Sequence, residues 1–163
     1  MQITENKKIT IRKAIKADGG ILCELINDLA DYEKKPGLDN EAKERLKKHA
    51  FESSPIFETY LADYESKTVA YAITLHMYST FTAKPILYLE DIFVLPEYRS
   101  LGIGKVLFEH CMKIAFEKDC WGLKWSVLDW NTLAIDFYKK YGAEQVDEWL
   151  TFCLTKNQLE NII

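Results

Sequence analysis

The residues between positions 99 and 104 have the types and spacing expected of a site for a phosphate group. Gly102 and Gly104 stand between an apolar, strand-like segment and a helix-like segment with one apolar stripe. Glycine lets the backbone turn tightly and approach an anion, and the first amides of a helix supply unpaired N–H donors. The pattern therefore predicts pyrophosphate binding, with an ordinary strand-to-helix turn as the alternative. It is neither a P-loop nor a complete GxGxxG fingerprint, because only the first two glycines fit.

Two consecutive acids, Glu90 and Asp91, interrupt the apolar segment 86–95. Such a segment is typical of a strand that is buried on both faces in the middle of a sheet. Side chains alternate along a strand, so the two acids point to opposite faces unless a bulge intervenes. A buried acid is costly unless it is paired or used. A catalytic role therefore stands against the alternative of an acid satisfied by local hydrogen bonds.

A third candidate lies on a helix that the sequence delimits clearly. Asn131 has the type and place of an N-cap, and Gly142 those of the left-handed residue that ends a helix. Tyr138 lies between them, where a lone tyrosine belongs to the core more often than to a catalytic site. The histidines show no metal-ligand spacing, so the sequence predicts no metal.

Hydrophobic periodicity places these candidates in a mixed α/β layered domain of 163 residues, taken as one domain over positions 1–163. Positions 86–95 and 123–128 are expected to form adjacent parallel strands joined through the helix after Gly102. Asp18 is expected to cap the first helix. The expected order is a strand near 9–11, a helix ending at 32–33, a helix at 40–50, strands at 57–62, 69–78 and 86–95, the helix after 102, a strand at 123–128, a helix at 131–141, two strands at 146 and 150–154, and a short helical tail.

Composition narrows the possible environments and partners. The net charge of −4 argues mildly against nucleic acid, since phosphate neutralisation needs a basic surface. No apolar run approaches membrane-spanning length, and the polar start has no signal-peptide pattern. The four cysteines show no CxxC spacing and are typical of reduced thiols. The sequence therefore predicts a cytoplasmic protein with no membrane or nucleic-acid partner.

The pattern at 99–104 resembles the Arg/Gln-x-x-Gly-x-Gly/Ala motif of the GCN5-related N-acetyltransferase superfamily, which binds the CoA pyrophosphate. The resemblance extends to 88–99 and 131–143, which are similar to the spermidine/spermine acetyltransferase branch. Val127-Leu128-Asp129-Trp130-Asn131 is closer still to the thialysine N-epsilon-acetyltransferase members, and 29–34 fits the same group. The resemblance implies the fold of that superfamily: a mixed, mostly antiparallel sheet with a splayed parallel strand pair, flanked by helices.

The resemblance also implies acetyl-CoA as co-substrate, a primary amine of a small molecule as acceptor, and a homodimer. Glu90 would accept a proton through water, with a pKa raised by desolvation, and Tyr138 would protonate the departing CoA thiolate. The residues expected to bind acetyl-CoA are Ile92, Phe93, Val94, Arg99, Ser100, Leu101, Gly102, Ile103, Gly104, Lys105, Asn131, Thr132, Leu133 and Ala134. Those expected at the amine site are Tyr32, Glu33, Glu90, Asp91, Lys124, Trp125 and Ser126.

The sequence departs from the branch at two places. Ser100 stands where the branch usually has glycine, so the phosphate loop carries an extra side chain. The segment 65–68 between the second and third strands is short, which can alter whatever covers the amine end of the site.

Several substrates and functions stay open at this point. An amino-acid substrate carries a carboxylate and favours a nearby cation such as Lys124, whereas a diamine or polyamine favours several acids such as Asp28, Asp31 and Glu33. A protein lysine or N-terminal acetyltransferase is a second possibility. A non-catalytic acyl-CoA-binding module is a third, although a binder needs neither Glu90 nor Tyr138.

Overall fold

The computed structural model describes residues 8–146 and 150–162, which fall into two compact units, Met1–Ser126 and Val127–Ile163. No helix within these described residues has the length and apolar character needed to cross a membrane. The prediction of a single domain stays a prediction.

The first unit is built around a five-stranded sheet in the order β1-β2-β3-β4-β5, with neighbours antiparallel except for the parallel pair β4–β5. This confirms the predicted mixed, mostly antiparallel sheet and its adjacent parallel strands. The elements of this unit are β1 Ile9–Lys13, α1 Gly19–Tyr32, α2 Asn40–Phe51, β2 Glu58–Tyr64, β3 Lys67–Ser79, β4 Lys84–Val94, α3 Ile103–Glu117 and β5 Leu123–Trp125, with 3₁₀ turns at Lys16–Asp18 and Pro96–Tyr98.

Helices cover both faces of the sheet because alternate strand residues are apolar on each side. Leu22 and Leu25 of α1 pack against Leu61, Tyr71, Ile73 and Phe93 in one buried cluster. The apolar stripe of α3 lies on the other face, where its residues Leu107, Phe108 and Cys111 are fully buried. The catalytic candidates of β4 therefore lie on a strand held between two helical layers.

Asp18 does not have the capping role that the sequence predicted. It precedes α1, but its side chain makes no capping hydrogen bond to that helix. Its carboxylate instead accepts hydrogen bonds from the Ile15 amide at 2.8 Å and from the Arg12 guanidinium at 2.8 Å and 3.0 Å. A charged partner within reach on β1 outcompetes the helix amides, so Asp18 ties the start of α1 to the sheet.

The strand predicted at 123–128 is shorter than expected. β5 ends at Trp125 because it pairs with β4 only over Leu87–Leu89, and β4 departs from regular geometry at the next residue. The two parallel strands thus separate where the acids begin.

The second unit carries α4 Thr132–Lys139 and α5 Lys156–Glu160. Asn131 caps α4 by accepting a hydrogen bond from the Ala134 amide at 3.3 Å, and Gly142 has φ 76°, which confirms both expected helix boundaries to within two residues. The short tail after Thr155 is also confirmed. The strands predicted at 146 and 150–154 are not formed in the described residues: the alternating Leu150, Phe152 and Leu154 are exposed, and alternation alone forms no ladder without a partner strand.

Candidate active site

The centre of the site is a β-bulge at Glu90. Thr74 of β3 pairs with Leu89 of β4, and its neighbour Ile73 pairs with Asp91, so Glu90 is the extra residue without a partner on β3. A bulge inserts one residue, bends the strand and re-aims side chains. The bulge coincides with the point where β5 stops pairing with β4, which leaves this edge of the strand open.

The bulge brings both acids to one face of the sheet. Ile73 faces α1 within the buried cluster, so Thr74 and its partner Leu89 face away from α1. Glu90 follows Leu89 and turns back toward α1, and Asp91 shares the face of its partner Ile73. The alternation expected of a regular strand is therefore broken here, and two consecutive carboxylates meet on the α1 side.

Asp91 is the desolvated member of this pair. Desolvation raises the pKa of its carboxyl to about 6, and the negative charges of Glu90 and Glu33 act in the same direction. The hydroxyl of Tyr71 donates a hydrogen bond to Asp91 Oδ2 at 3.3 Å, which opposes the shift in this pKa. A carboxyl with a pKa of about 6 is largely ionised at neutral pH, so it can pair with an ammonium ion.

The prediction that Glu90 is the buried, desolvated acid is wrong. Glu90 is exposed, because the bulge removes it from the ladder and β5 no longer flanks it. The predicted desolvation falls on Asp91 instead. Glu90 is open to water, so a proton path through a water molecule remains geometrically possible.

The segment after β4 forms a cradle of backbone amides at the start of α3. Ser100 and Gly102 have φ values of 65° and 85°, and no side chain caps the N-terminus of this 15-residue helix. The first amides of α3 are therefore available to an anion, where the helix dipole also favours negative charge. Ile103 is buried and anchors the helix, while the Cβ of a residue in place of Gly104 would contact Val94 Cγ2 at an ordinary 3.5 Å.

The side chains around this cradle differ in their exposure to solvent. Leu101 and Lys105 are exposed, and the Lys105 ammonium lies 4.0 Å from the Glu109 carboxylate. Ile92 and Val94 of β4 are half-buried, beside the strand edge that β5 leaves open. These positions fit the predicted cofactor role, which stays a prediction.

Arg99 connects the cradle to the end of α1. Its guanidinium carbon lies 4.6 Å from the centroid of the Tyr32 ring and 5.6 Å from that of Phe93, and its Nε donates to the Val94 carbonyl at 3.1 Å. The residue after Tyr32 is Glu33, whose charge reaches Asp91. The predicted cofactor residue Arg99 and the predicted amine-site residues at the end of α1 are therefore adjacent.

The predicted site residues Lys124 and Trp125 lie on β5, opposite Tyr88 and Leu89 of β4. The Lys124 ammonium lies 5.4 Å from the centroid of Trp121, which precedes the strand, and Trp125 packs edge-to-face on Phe108 of α3 at 5.3 Å. These contacts lead toward the start of β5 and toward α3. Trp125 lies opposite the residue that directly precedes Glu90, and Lys124 lies opposite the residue before that, so both are close to the bulge. Their role at the amine site stays a prediction.

Ser126 is held at the end of β5. Its hydroxyl lies 2.9 Å from that of Tyr88, two residues before the bulge. This contact keeps Ser126 near the point where the two parallel strands separate.

A second acidic feature lies along α1. A groove of about 560 Å³ runs between this helix and the 3₁₀ turn after β4. Its acidic residues are Glu24, Asp28, Asp31 and Glu97, and Lys67 and Tyr32 also line it. The acids that the sequence grouped for a polyamine are thus divided, because Asp28 and Asp31 line the groove whereas Glu33 lies near Asp91.

Within the second unit, the start of α4 presents Thr132, the exposed Leu133 and the Ala134 amide that Asn131 caps. Tyr138 is buried on α4, with its ring centroid 5.4 Å from that of Phe137. Among the described residues, no group of three or more His, Cys, Asp or Glu side chains is arranged to hold a metal ion.

Sequence reasoning missed two features of the site. The first is Tyr71, which alternates with small residues on an apolar strand and so resembles any core aromatic. The second is the stacking of Arg99 on Tyr32, which are far apart in the chain. A signal for the bulge did exist, because two adjacent acids in a buried strand are costly if one of them must face each helical layer.

Comparison with known proteins identifies acetyltransferases as relatives of this chain. The model of the acetyltransferase (GNAT) family matches residues 22–143. The chain is 36% identical to thialysine N-epsilon-acetyltransferase of pig (Sus scrofa) over 155 residues, which cover 88% of this chain and 91% of the pig protein. It is also 36% identical to L-ornithine N5-acetyltransferase of Arabidopsis thaliana over 110 residues, 66% of this chain and 48% of that protein.

An integron cassette protein from the mobile metagenome of V. cholerae has the same fold, with a TM-score of 0.82 and 24% identity over 95% of this chain and 97% of that one. The family match spans both the bulge of β4 and the amide cradle of α3, and it ends just after Gly142. The chain therefore belongs to the acetyltransferase (GNAT) family and is an N-acetyltransferase.

Proposed function

We propose that this enzyme transfers the acetyl group of acetyl-CoA directly to a primary amine of a small molecule, either a lysine-like amino acid such as thialysine or a diamine or polyamine. The observation that carries the proposal is the bulge that turns Glu90 and Asp91 to one face, with Glu33 close enough to affect Asp91. Two carboxylates at the open edge of β4, together with that of Glu33 just after α1, favour a cationic acceptor.

The cradle at the start of α3 supports acetyl-CoA as the donor. Uncapped helix amides and two residues with positive φ suit a pyrophosphate, and the edge of β4 beyond the bulge has backbone groups that β5 does not pair. The amides near Ile92, Phe93 and Val94 would polarise the thioester carbonyl as negative charge develops on its oxygen.

The reaction requires one proton to leave the amine and another to reach the thiolate. The amine arrives mainly as an ammonium ion, since its pKa is roughly 10. Glu90 would accept this proton through water, which its exposure allows. The nitrogen then attacks the thioester carbon, the carbon–sulfur bond breaks, and Tyr138 would protonate the departing sulfur, as the family resemblance implies.

A cysteine nucleophile is the rival mechanism. Desolvation raises the pKa of Cys111 to about 12 and also raises that of Cys23, so neither supplies a thiolate readily at neutral pH. Cys120 and Cys153 are more accessible. Rapid mixing with acetyl-CoA alone distinguishes the two mechanisms: direct transfer releases no CoA before an amine is added, whereas a burst of CoA together with an acetylated cysteine in the mass spectrum would contradict it.

The choice between amines depends on two observations. Similarity to a thialysine acetyltransferase over most of both chains favours a lysine-like amino acid. The acidic groove beside α1 favours a polyamine, since Asp28 and Asp31 would attract a second ammonium group. The Lys124 ammonium lies 5.4 Å from the centroid of Trp121, so a substrate carboxylate would compete with this cation–π contact.

A panel of acceptors tests the function. The purified chain with acetyl-CoA is assayed for CoA release against thialysine, lysine, ornithine, diaminopropane, spermidine and a lysine peptide. We expect the highest kcat/KM with a small amine. Preference for the peptide would indicate a protein acetyltransferase, and CoA binding without turnover on any amine would indicate a non-catalytic acyl-CoA-binding module.

We further propose a homodimer in the cytoplasm, with neither nucleic acid nor membrane as a partner. The family resemblance supports the dimer, and the net charge of −4 supports the absence of nucleic acid. A monomeric mass in sedimentation at working concentration would contradict the dimer, and fractionation with the membranes would contradict the location.

A further inference from the structure

Tyr71 is a fully buried tyrosine whose polar end reaches the bulge. It lies on β3 opposite Phe93, and its ring packs in the cluster beneath α1 with Leu22 and Leu25. A buried tyrosine hydroxyl needs a hydrogen-bond partner, and this one donates to Asp91 Oδ2 at 3.3 Å. A core side chain thus fixes the position of a carboxylate in the proposed amine site.

The hydroxyl donates to the ionised carboxylate in this pair. Desolvation and the negative charge of Asp91 raise the pKa of Tyr71, so the phenol keeps its proton at any physiological pH. Hydrogen bonding to the charged form of an acid favours that form. The hydroxyl therefore opposes the other influences on Asp91, which are burial and the charges of Glu90 on the same strand and Glu33 at the end of α1.

We propose that Tyr71 is a positioning residue of the amine site, whose hydroxyl holds Asp91 beside Glu90 and keeps it an anion that can bind the ammonium group of the substrate. This inference rests on the proposed function, since it presumes a cationic acceptor. Tyr71 itself touches neither substrate nor reacting atoms in this role; it acts through Asp91. A tyrosine that only filled space could be replaced by phenylalanine without effect on the site, because the two rings have nearly the same volume.

The test compares Tyr71→Phe with Tyr60→Phe. Tyr60 is also a buried sheet tyrosine that donates to a carboxylate, Glu58 Oε2 at 3.0 Å, but its ring packs edge-to-face on His110 of α3, on the other face of the sheet. Each variant is assayed for kcat and KM of the best amine across pH, and the Asp91 carboxyl is titrated by carbon NMR in the free enzyme. The NMR readout does not depend on turnover.

Burial, Glu90 and Glu33 raise the pKa of Asp91, whereas the hydrogen bond from Tyr71 lowers it. Loss of the hydroxyl should therefore raise this pKa, and Asp91 should titrate at higher pH. For a shift of about one unit, kcat/KM of Tyr71→Phe should fall about fivefold below wild type near pH 6 and stay within about twofold at pH 8.5. The loss should appear mainly in the KM of the amine. Tyr60→Phe should follow the wild-type profile and titration.

The outcomes separate the role of Tyr71 from the proposed function. A wild-type enzyme that acetylates no amine would overturn both. An active wild type, with a Tyr71→Phe pH profile and Asp91 titration that match it, would overturn the role of Tyr71 alone. If Tyr71→Phe fails to fold, Asp91→Asn replaces it: the amide can still accept from Tyr71 but carries no charge, so the amine KM should rise at least about tenfold, and an unchanged KM would overturn the proposal.

Discussion

The guanidinium of Arg99 stacks on the ring of Tyr32, with 4.6 Å between its central carbon and the ring centroid. The contact joins the segment that leads into the amide cradle of α3 to the end of α1, which Glu33 directly follows. Arg99 is also fixed by its hydrogen bond to the Val94 carbonyl. This stacking therefore connects the proposed anion-binding part of the site to the proposed cation-binding part.

Removal of the Tyr32 ring should weaken both halves together. In Tyr32→Leu the guanidinium loses a cation–π contact, and the cradle and the end of α1 are no longer held to each other. We expect the affinity for acetyl-CoA to fall about two- to tenfold and the amine KM to rise. Tyr32→Phe keeps the ring and therefore the cation–π contact, so its affinity for acetyl-CoA should exceed that of Tyr32→Leu. Equal affinities of the Leu and Phe variants in calorimetry would show that the stacking has no part in binding.

The positive φ of Ser100 predicts a stabilising substitution. A non-glycine residue in the left-handed region costs roughly 1–2 kcal/mol, and glycine avoids this strain but loses more entropy on folding. Ser100→Gly should therefore raise the free energy of unfolding by about 0.5 kcal/mol, measured in urea. Gly102→Ala, which introduces a side chain at φ 85°, should lower it by about 1 kcal/mol. A less stable Ser100→Gly would mean that the serine side chain makes a compensating contact.

Local signals predicted most of the fold, whereas the site depended on long-range pairing. The residue types of Asn131 and Gly142 are themselves signals of the start and the end of a helix, so both boundaries were predicted correctly. The bulge at Glu90 follows from how Ile73 and Thr74 of another strand pair with β4, which no single segment encodes. Asp18 shows the same limit, because its carboxylate accepts a hydrogen bond from Arg12 on β1 instead of capping α1.

Gly104→Asp should abolish acetyl-CoA binding while the chain still folds. A carboxylate at the second position of α3 would occupy the anion cradle and repel a pyrophosphate. The space around Gly104 allows a side chain, since a Cβ would meet Val94 Cγ2 at 3.5 Å. Gly104→Ala is the matched control and should keep most of the affinity. Unchanged affinity of Gly104→Asp in calorimetry, with a native circular dichroism spectrum, would reduce the cradle to an ordinary turn.

Tyr138→Phe tests the proposed acid for the leaving thiolate. The ring is buried on α4 and phenylalanine preserves its packing; a circular dichroism spectrum checks the fold. Loss of a general acid typically costs about a hundred- to ten-thousandfold in rate, so kcat should fall strongly while the Kd of acetyl-CoA changes little. Tyr141→Phe, at the end of the same helical segment, is a suitable control. A kcat of Tyr138→Phe within about twofold of wild type would remove this residue from the mechanism.

Glu90→Gln tests the proposed proton acceptor through its dependence on pH. The variant keeps the size of an exposed side chain but cannot take a proton, so deprotonation of the substrate must rely on solvent. We expect kcat/KM to fall by about a hundredfold or more near neutral pH and to recover in part as the pH approaches roughly 10, where more of the amine is already neutral. Glu41→Gln on the exposed surface of α2 makes the same change of charge outside the site and should leave the profile unchanged.

The shape of the Glu90→Gln profile separates proton transfer from simple attraction of the ammonium ion. If Glu90 only attracted the cation, the variant would raise the amine KM, leave kcat intact and lose its effect in high salt, because screening already weakens an exposed charge. A proton acceptor instead lowers kcat itself, and salt does not restore it. A variant whose kcat equals that of wild type at neutral pH would exclude Glu90 as the proton acceptor and leave Asp91 and Glu33 as the remaining carboxylates of the site.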